Sequence, residues 1–218
     1  MMEQVMIKIL FVLTAISPII LHAQWVEDYY KPVEQSRVYL GGDYAAFRMS
    51  LRNFTDVYES RWGQSFGGFV GVRAFSSYYV AARYGTFNQS GRSGVHEASG
   101  ESLGTARWQE QWLKLGLRIH PPTEKKWGSY YGFGIGFFFI KEAEPISVFN
   151  FLSEQSSSFA GNGSGFYLEL GVDYFVLDKL AAFVDVEISS AGMRGRSTFE
   201  AMSVGGWRFS TGLVFWPF

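Results

Sequence analysis

Six acids and five bases share one setting in this sequence. Asp43, Glu110, Glu169, Asp173, Asp185 and Glu187, with Arg73, Arg83, Lys114, Arg118 and Arg208, all fall in segments where large apolar residues recur at every second position, and all take the opposite parity. Groups of both signs on one face can exchange protons as acids and bases or neutralise one another as ion pairs. Six against five nearly cancels, and buried charges are costly unless paired, so an ion-pair network is the expected arrangement. The histidines offer less. His96 lies near Glu97, Ser99 and Ser102, the residue types of a base-activated nucleophile. It sits, however, in a Ser/Gly-rich run, where a solvated histidine is the ordinary expectation. His120 adjoins Pro121-Pro122. No cysteine is present, which excludes disulfides and thiolate metal sites. No metal-ligand cluster is apparent, and the glycines of Gly132-Phe133-Gly134-Ile135-Gly136 alternate singly, unlike a phosphate loop. The expectation is no catalytic, metal or cofactor site, and no cofactor.

The elements that must position these charges read as strands, because a period of two sends successive side chains to opposite faces of a sheet. The stretch Trp127 to Ile140 is the clearest. Tyr131, Phe133, Ile135, Phe137 and Phe139 form one face, and Gly128, Tyr130, Gly132, Gly134 and Gly136 the other. A helix is excluded there, since each interior glycine would cost about 1 kcal/mol. Seven further strands alternate in the same way: Val38 to Ala46, Ser65 to Phe75, Tyr78 to Phe87, Ala106 to Ile119, Phe166 to Tyr174, Leu180 to Ile188, and Trp207 to Phe215. Between them lie a polar stretch from Leu51 to Gln64, long loops over Asn88–Thr105, Glu142–Gly163 and Ser190–Ser203, and tight links at Ser76-Ser77, Pro121-Pro122 and Leu177-Asp178-Lys179. Long and short connections therefore alternate, as in an up-and-down meander that closes on itself.

A closed barrel can turn its apolar face inward, as soluble ligand-binding barrels do, or outward into lipid. The less apolar face decides. It is mostly glycine and small residues with scattered charges, which suits the cramped interior of an eight-strand barrel better than a solvent-facing wall. Tyr78, Tyr131, Tyr174 and Trp207 stand near strand ends, as interfacial girdles require. The fold class expected is all-β: an eight-stranded antiparallel up-and-down transmembrane β-barrel. Leu113, Leu115, Leu117, Tyr131, Phe133, Ile135, Phe137, Phe139, Leu168, Leu170, Val172, Val184 and Val186 would face lipid. Ile135→Arg should then block assembly, and Gly134→Ala should be milder.

Residues 1–23 read as a signal peptide. Lys8 supplies the positive start, Ile7 to Ile20 a short apolar run, and Ala23 a small residue before Gln24. The run falls short of the ~20 residues that span a bilayer as a helix, so export with cleavage is expected rather than an anchor. Residues 24–218 would form one barrel domain with a short periplasmic lead. A net charge of −1 and the lack of a long basic run give no reason to expect nucleic acid.

With these strands in hand, GFGIGFFF, FYLELGVDYFV and WRFSTGLVFWPF resemble strands of the small bacterial outer-membrane β-barrel family, the type of the OmpA transmembrane domain, OmpX and Opa proteins. The resemblance covers about Arg37 to Phe218, without the peptidoglycan-binding domain of full OmpA. It implies location in a bacterial outer membrane, with outer-membrane lipid and lipopolysaccharide as surroundings and both chain ends in the periplasm. Phe215, Trp216 and Phe218 resemble the C-terminal signal read by the barrel assembly machinery, although Pro217 departs from that pattern.

Function is expected to be structural or interaction-based, with the ion-pair network plugging the lumen. A narrow channel for small solutes is the alternative. A lipid A-modifying enzyme is a weaker one, because the His-x-Ser strand motif of the deacylases is missing and His120 lies on the short-turn rim. The long loops could meet an extracellular protein or surface ligand, and Phe149, Phe151, Leu152 and Phe159 could mark a contact patch or fold back on the rim.

Overall fold

The computed structural model describes residues 36–51, 54–95, 102–123, 125–143, 158–194 and 203–217. The elements are β1 (Val38–Met49), the one-turn helix α1 (Phe54–Val57), β2 (Trp62–Phe75), β3 (Tyr78–Val95), β4 (Ser102–Ile119), β5 (Trp127–Ala143), β6 (Ser158–Leu177), β7 (Leu180–Arg194), β8 (Ser203–Val204) and β9 (Gly206–Phe215). Each strand pairs antiparallel with its neighbours, from β6 through β5, β4, β3, β2 and β1 to β9 and β7. A β6–β7 pairing then closes the ring, with Leu168 opposite Ile188. Eight strands make the wall; β8 is a two-residue addition to the C-terminal end of β7. Gly205, with φ of 91°, turns the chain from β8 into β9.

Apolar side chains cover the outside. Phe133, Ile135, Leu168 and Leu170 are 47–64% exposed, while Trp112, Tyr130, Lys114 and Arg208 on the alternate parity are fully buried. A soluble barrel would show the reverse. Of the residues expected to face lipid, all but Leu117 are exposed on this outer surface, and Leu117, of the same parity on β4, is half-buried. One rim carries tight links, at 76–77, 120–126 and 178–179; the other carries the long ones.

Several strands run further than alternation predicts. β3 continues to Val95 and β4 begins at Ser102, so most of the expected Asn88–Thr105 loop is a hairpin extension. β6 begins at Ser158 and β7 reaches Arg194. A ladder is made by backbone groups, so Ser- and Gly-rich segments extend it without an apolar face. The register slips near Ser90 and Gly94 show where the pairing is irregular. The expected polar stretch after β1 is also different. Leu51, Phe54 and Tyr58 are buried and belong to the core at the long-loop rim.

The glycines of β5 face inward, but they are not open space. A Cβ on Gly134 would collide with the β4 backbone at Leu115 and Gly116, directly across the ladder. Gly134→Ala is expected to be milder than Ile135→Arg, but it carries a steric cost of its own, because rigid backbone and not a movable side chain fills the position. Gly132 lies opposite Glu169 and leaves room for that carboxylate to cross the wall.

Candidate functional site

Alternation along each strand selects which charges enter the barrel, and the ladder register sets their depth. Asp43 on β1, Arg83 on β3, Lys114 and Arg118 on β4, Glu169 on β6, Asp185 and Glu187 on β7, and Arg208 on β9 converge in one buried layer. Arg83 is its hub. One terminal nitrogen, Nη2, meets Asp185 at 2.7 Å and Asp43 at 3.2 Å. The other, Nη1, meets Glu169 at 3.2 Å and Glu187 at 3.3 Å. Arg118 clamps Glu169 through two hydrogen bonds of 2.8 Å, the fork geometry that suits a guanidinium to a carboxylate. Lys114 donates to Glu187, and Arg208 to Asp43. The layer holds four acids and four bases, so it closes with no net charge.

The two wall strands that lend no charge each lend a hydroxyl. Ser65 of β2 accepts from Arg208 Nε at 3.3 Å, and Tyr130 of β5 donates to Asp185 at 3.1 Å. All eight strands of the ring thus hold a piece of one cross-lumen strut.

Aromatic clusters seal the layer on both sides. Toward the short-turn rim lie Tyr39, Phe69, Tyr79, Tyr130, Phe183 and Trp216. Toward the long-loop rim lie Phe47, Phe54, Tyr58, Phe87, Trp108, Trp112 and Phe138. The cations bridge the layers. Arg118 lies 4.5 Å from the Tyr130 ring centre and 5.0 Å from that of Phe69. Lys114 lies 4.8 Å from Trp112. Placing cations against aromatic faces gives them a partner on the side that carries no carboxylate. At the long-loop end, α1 tucks Phe54 against Tyr58, with ring centres 4.3 Å apart, and edge-on to Trp108. The Tyr58 hydroxyl donates to Glu142 at 3.1 Å.

Three of the charges expected in the network lie elsewhere. Arg73 sits two residues from the end of β2, is partly exposed, and joins no ion pair among the described residues. Glu110 is buried deeper in the long-loop cluster, with Lys114, Trp108 and the Gly205 amide as its polar neighbours. Asp173 pairs with His120, 3.5 Å away, rather than with an arginine. His120 was expected on the rim but its side chain turns inward, its backbone N–H donating to the Ser77 carbonyl at 2.9 Å and its ring stacking on Tyr130. Burial holds its pKa below the ordinary imidazole value, and the hydrogen bond it donates to Asp173 opposes that fall.

The parity of β4 foretells this, since Lys114, Gly116, Arg118 and His120 all share it. Trp216, expected in an assembly signal, likewise continues the inward parity of β9 and packs against Tyr39 at 4.9 Å between ring centres. Phe215 points outward. Residues 1–23, Gln24, His96, Glu97, Ser99, Phe149, Phe151, Leu152 and Phe218 lie outside the described residues, as do the side chains of Ser102 and Phe159.

Chemically, the layer is a set of charge-assisted hydrogen bonds buried between two aromatic clusters. Its acids are matched to bases, and two aromatic clusters separate it from either rim. That geometry suits holding the wall strands together across the lumen.

The family model for the outer membrane protein beta-barrel domain matches residues 18–215. Among solved structures, the chain is similar to Neisserial surface protein A, with 12% identity and a TM-score of 0.55, over 83% of this chain and 97% of that one. It is also similar to the outer membrane protein OprG from Pseudomonas aeruginosa, with 15% identity and a TM-score of 0.54, over 83% and 95% of the two chains. At these identities the likeness is one of fold. Comparison with curated proteins gave no match.

Proposed function

Because the chain belongs to the outer membrane protein beta-barrel domain family of bacterial outer membranes, we propose that it is a sealed, non-conducting barrel with a structural or surface-interaction role. The observation that carries this reading is the neutral charge layer closed between two aromatic clusters. A conducting lumen needs a continuous water path, and this interior offers buried ion pairs and packed rings along its length. In this reading the signal peptide ends at Ala23, both ends of the barrel domain are periplasmic, and the long-loop rim faces outward. The residues from Phe215 to Phe218 serve recognition by the assembly machinery, and any protein or surface ligand is met by the long loops.

Single-channel recording in planar bilayers tests the sealed lumen. Purified, refolded barrel is expected to give no stable current steps. A large, steady ohmic conductance would overturn the reading and favour the narrow channel. Shortening one long loop at a time, followed by an adhesion assay on intact cells, tests the surface role: binding unchanged in every variant would remove it.

A further inference from the structure

The outer wall is apolar until the long-loop ends of β4, β5 and β6, where its chemistry changes. Gln109 and Gln111 on β4, Lys141 on β5 and Asn162 on β6 all point outward and line an open groove of about 340 Å³. Ladder pairing sets them side by side: Gln109 faces Lys141, Gln111 faces Phe139, and Phe139 faces Asn162. Arg107, two residues from Gln109 on the same parity, is exposed beside them. It therefore stands about 7 Å from Gln109 along the strand and diagonal to Lys141.

The acids of these strand ends, Glu110 and Glu142, both turn into the lumen and are buried. Among the described residues, the outward positions here hold two cations, three side-chain amides and no carboxylate. Phe139, half exposed, forms an apolar lower edge continuous with the lipid-facing surface. Two cations on a membrane wall attract an anion, the amides add neutral donors, and the apolar edge requires that the anion carry a hydrocarbon part.

We propose that this groove binds a phosphorylated glycolipid of the outer leaflet, with the phosphate held between Arg107 and Lys141 and an acyl chain lying on Phe139. Gln109, Gln111 and Asn162 would meet the sugar hydroxyls. The inference rests on the long-loop rim facing the outer leaflet. It does not depend on the lumen being closed, so the conductance experiment and this one fail independently.

The test uses refolded full-length barrel in detergent, titrated with diphosphoryl lipid A and, separately, with its dephosphorylated form, and read by native mass spectrometry. Wild type is expected to retain one diphosphoryl lipid A and to discriminate against the dephosphorylated lipid. R107Q/K141Q should lose at least ~10-fold in retention, the scale of one charge-assisted phosphate contact. K141Q alone should fall between the two. K125Q, which removes an exposed lysine at the opposite rim, should behave as wild type. Equal retention by R107Q/K141Q and wild type would overturn the proposal. So would equal binding of both lipids, or an equal loss in K125Q, since that would make the attraction a matter of net charge. Heat-modifiable electrophoretic mobility verifies folding of each variant; these side chains lie outside the packed interior, so all are expected to fold.

Discussion

Arg83 carries more of the interior than any other side chain. Four carboxylates, those of Asp43, Glu169, Asp185 and Glu187, lie within 3.3 Å of its two terminal nitrogens. Arg83→Ala would leave four acids facing three remaining bases in a buried layer. Breaking a buried pair by removing one partner costs about 3–5 kcal/mol, so the variant should unfold at clearly lower urea in lipid vesicles. Arg83→Lys should recover only part of that loss, because a single ammonium cannot present two nitrogens to four carboxylates. A lysine variant as stable as wild type would show that charge alone, not the fork, holds the hub. The sequence identifies which charges face inward, because parity is a local property. It does not identify depth, which depends on the ladder register between strands. That is why Arg73, on the same face of its strand, ends at the rim, while His120 and Trp216 fall inside as the next steps of patterns already established by Arg118 and Val214.

At the scale of the strand, β5 shows how two faces constrain one element differently. Ile135 is 56% exposed on the outer surface, and an arginine near the bilayer midplane costs about 2–4 kcal/mol. Ile135→Arg should therefore lower the folded fraction in membranes. Gly134, its neighbour, meets the β4 backbone, so Gly134→Ala should force β4 and β5 apart and also reduce folded yield. Gly42 is the control: a Cβ there would first meet the Gly67 carbonyl oxygen at 3.7 Å, an ordinary contact, and Gly42→Ala should fold normally. Heat-modifiable mobility of membrane fractions measures all three. A wild-type yield from Gly134→Ala would mean the wall relaxes at that point.

Strand identity and face were legible here because apolar alternation is strong. Strand length was not, since the Ser- and Gly-rich ends of β3, β4 and β6 pair through backbone alone. The cap was legible only in part. Leu51, Phe54 and Tyr58 follow a spacing of three and four, the period of a helical face, within residues whose overall composition is polar.

Across the whole molecule, the proposed closed lumen would consist of three barriers in series. A solute crossing the lumen must pass the cluster around Trp216, the charge layer, and the cluster around Phe54 and Trp108. Resistances in series are governed by the largest, so under the proposed reading removing one barrier should leave the passage closed by the others. Phe54 and Trp216 are well suited to the experiment, because neither takes part in the ion pairs. Truncating a buried aromatic costs about 3–5 kcal/mol, so F54A and W216A should each melt earlier than wild type, yet each should remain electrically silent in planar bilayers. Under the same reading, the charge layer should also resist conversion into a pore by salt. Its pairs are enclosed, and mobile ions screen buried pairs far less than exposed ones, so wild-type recordings at low and high salt should look alike. Stable current from W216A alone would locate a single gate at the short-turn rim, and stable current from F54A alone would locate it at the long-loop rim. Silence in both, with a folded barrel, is the outcome that three stacked seals require.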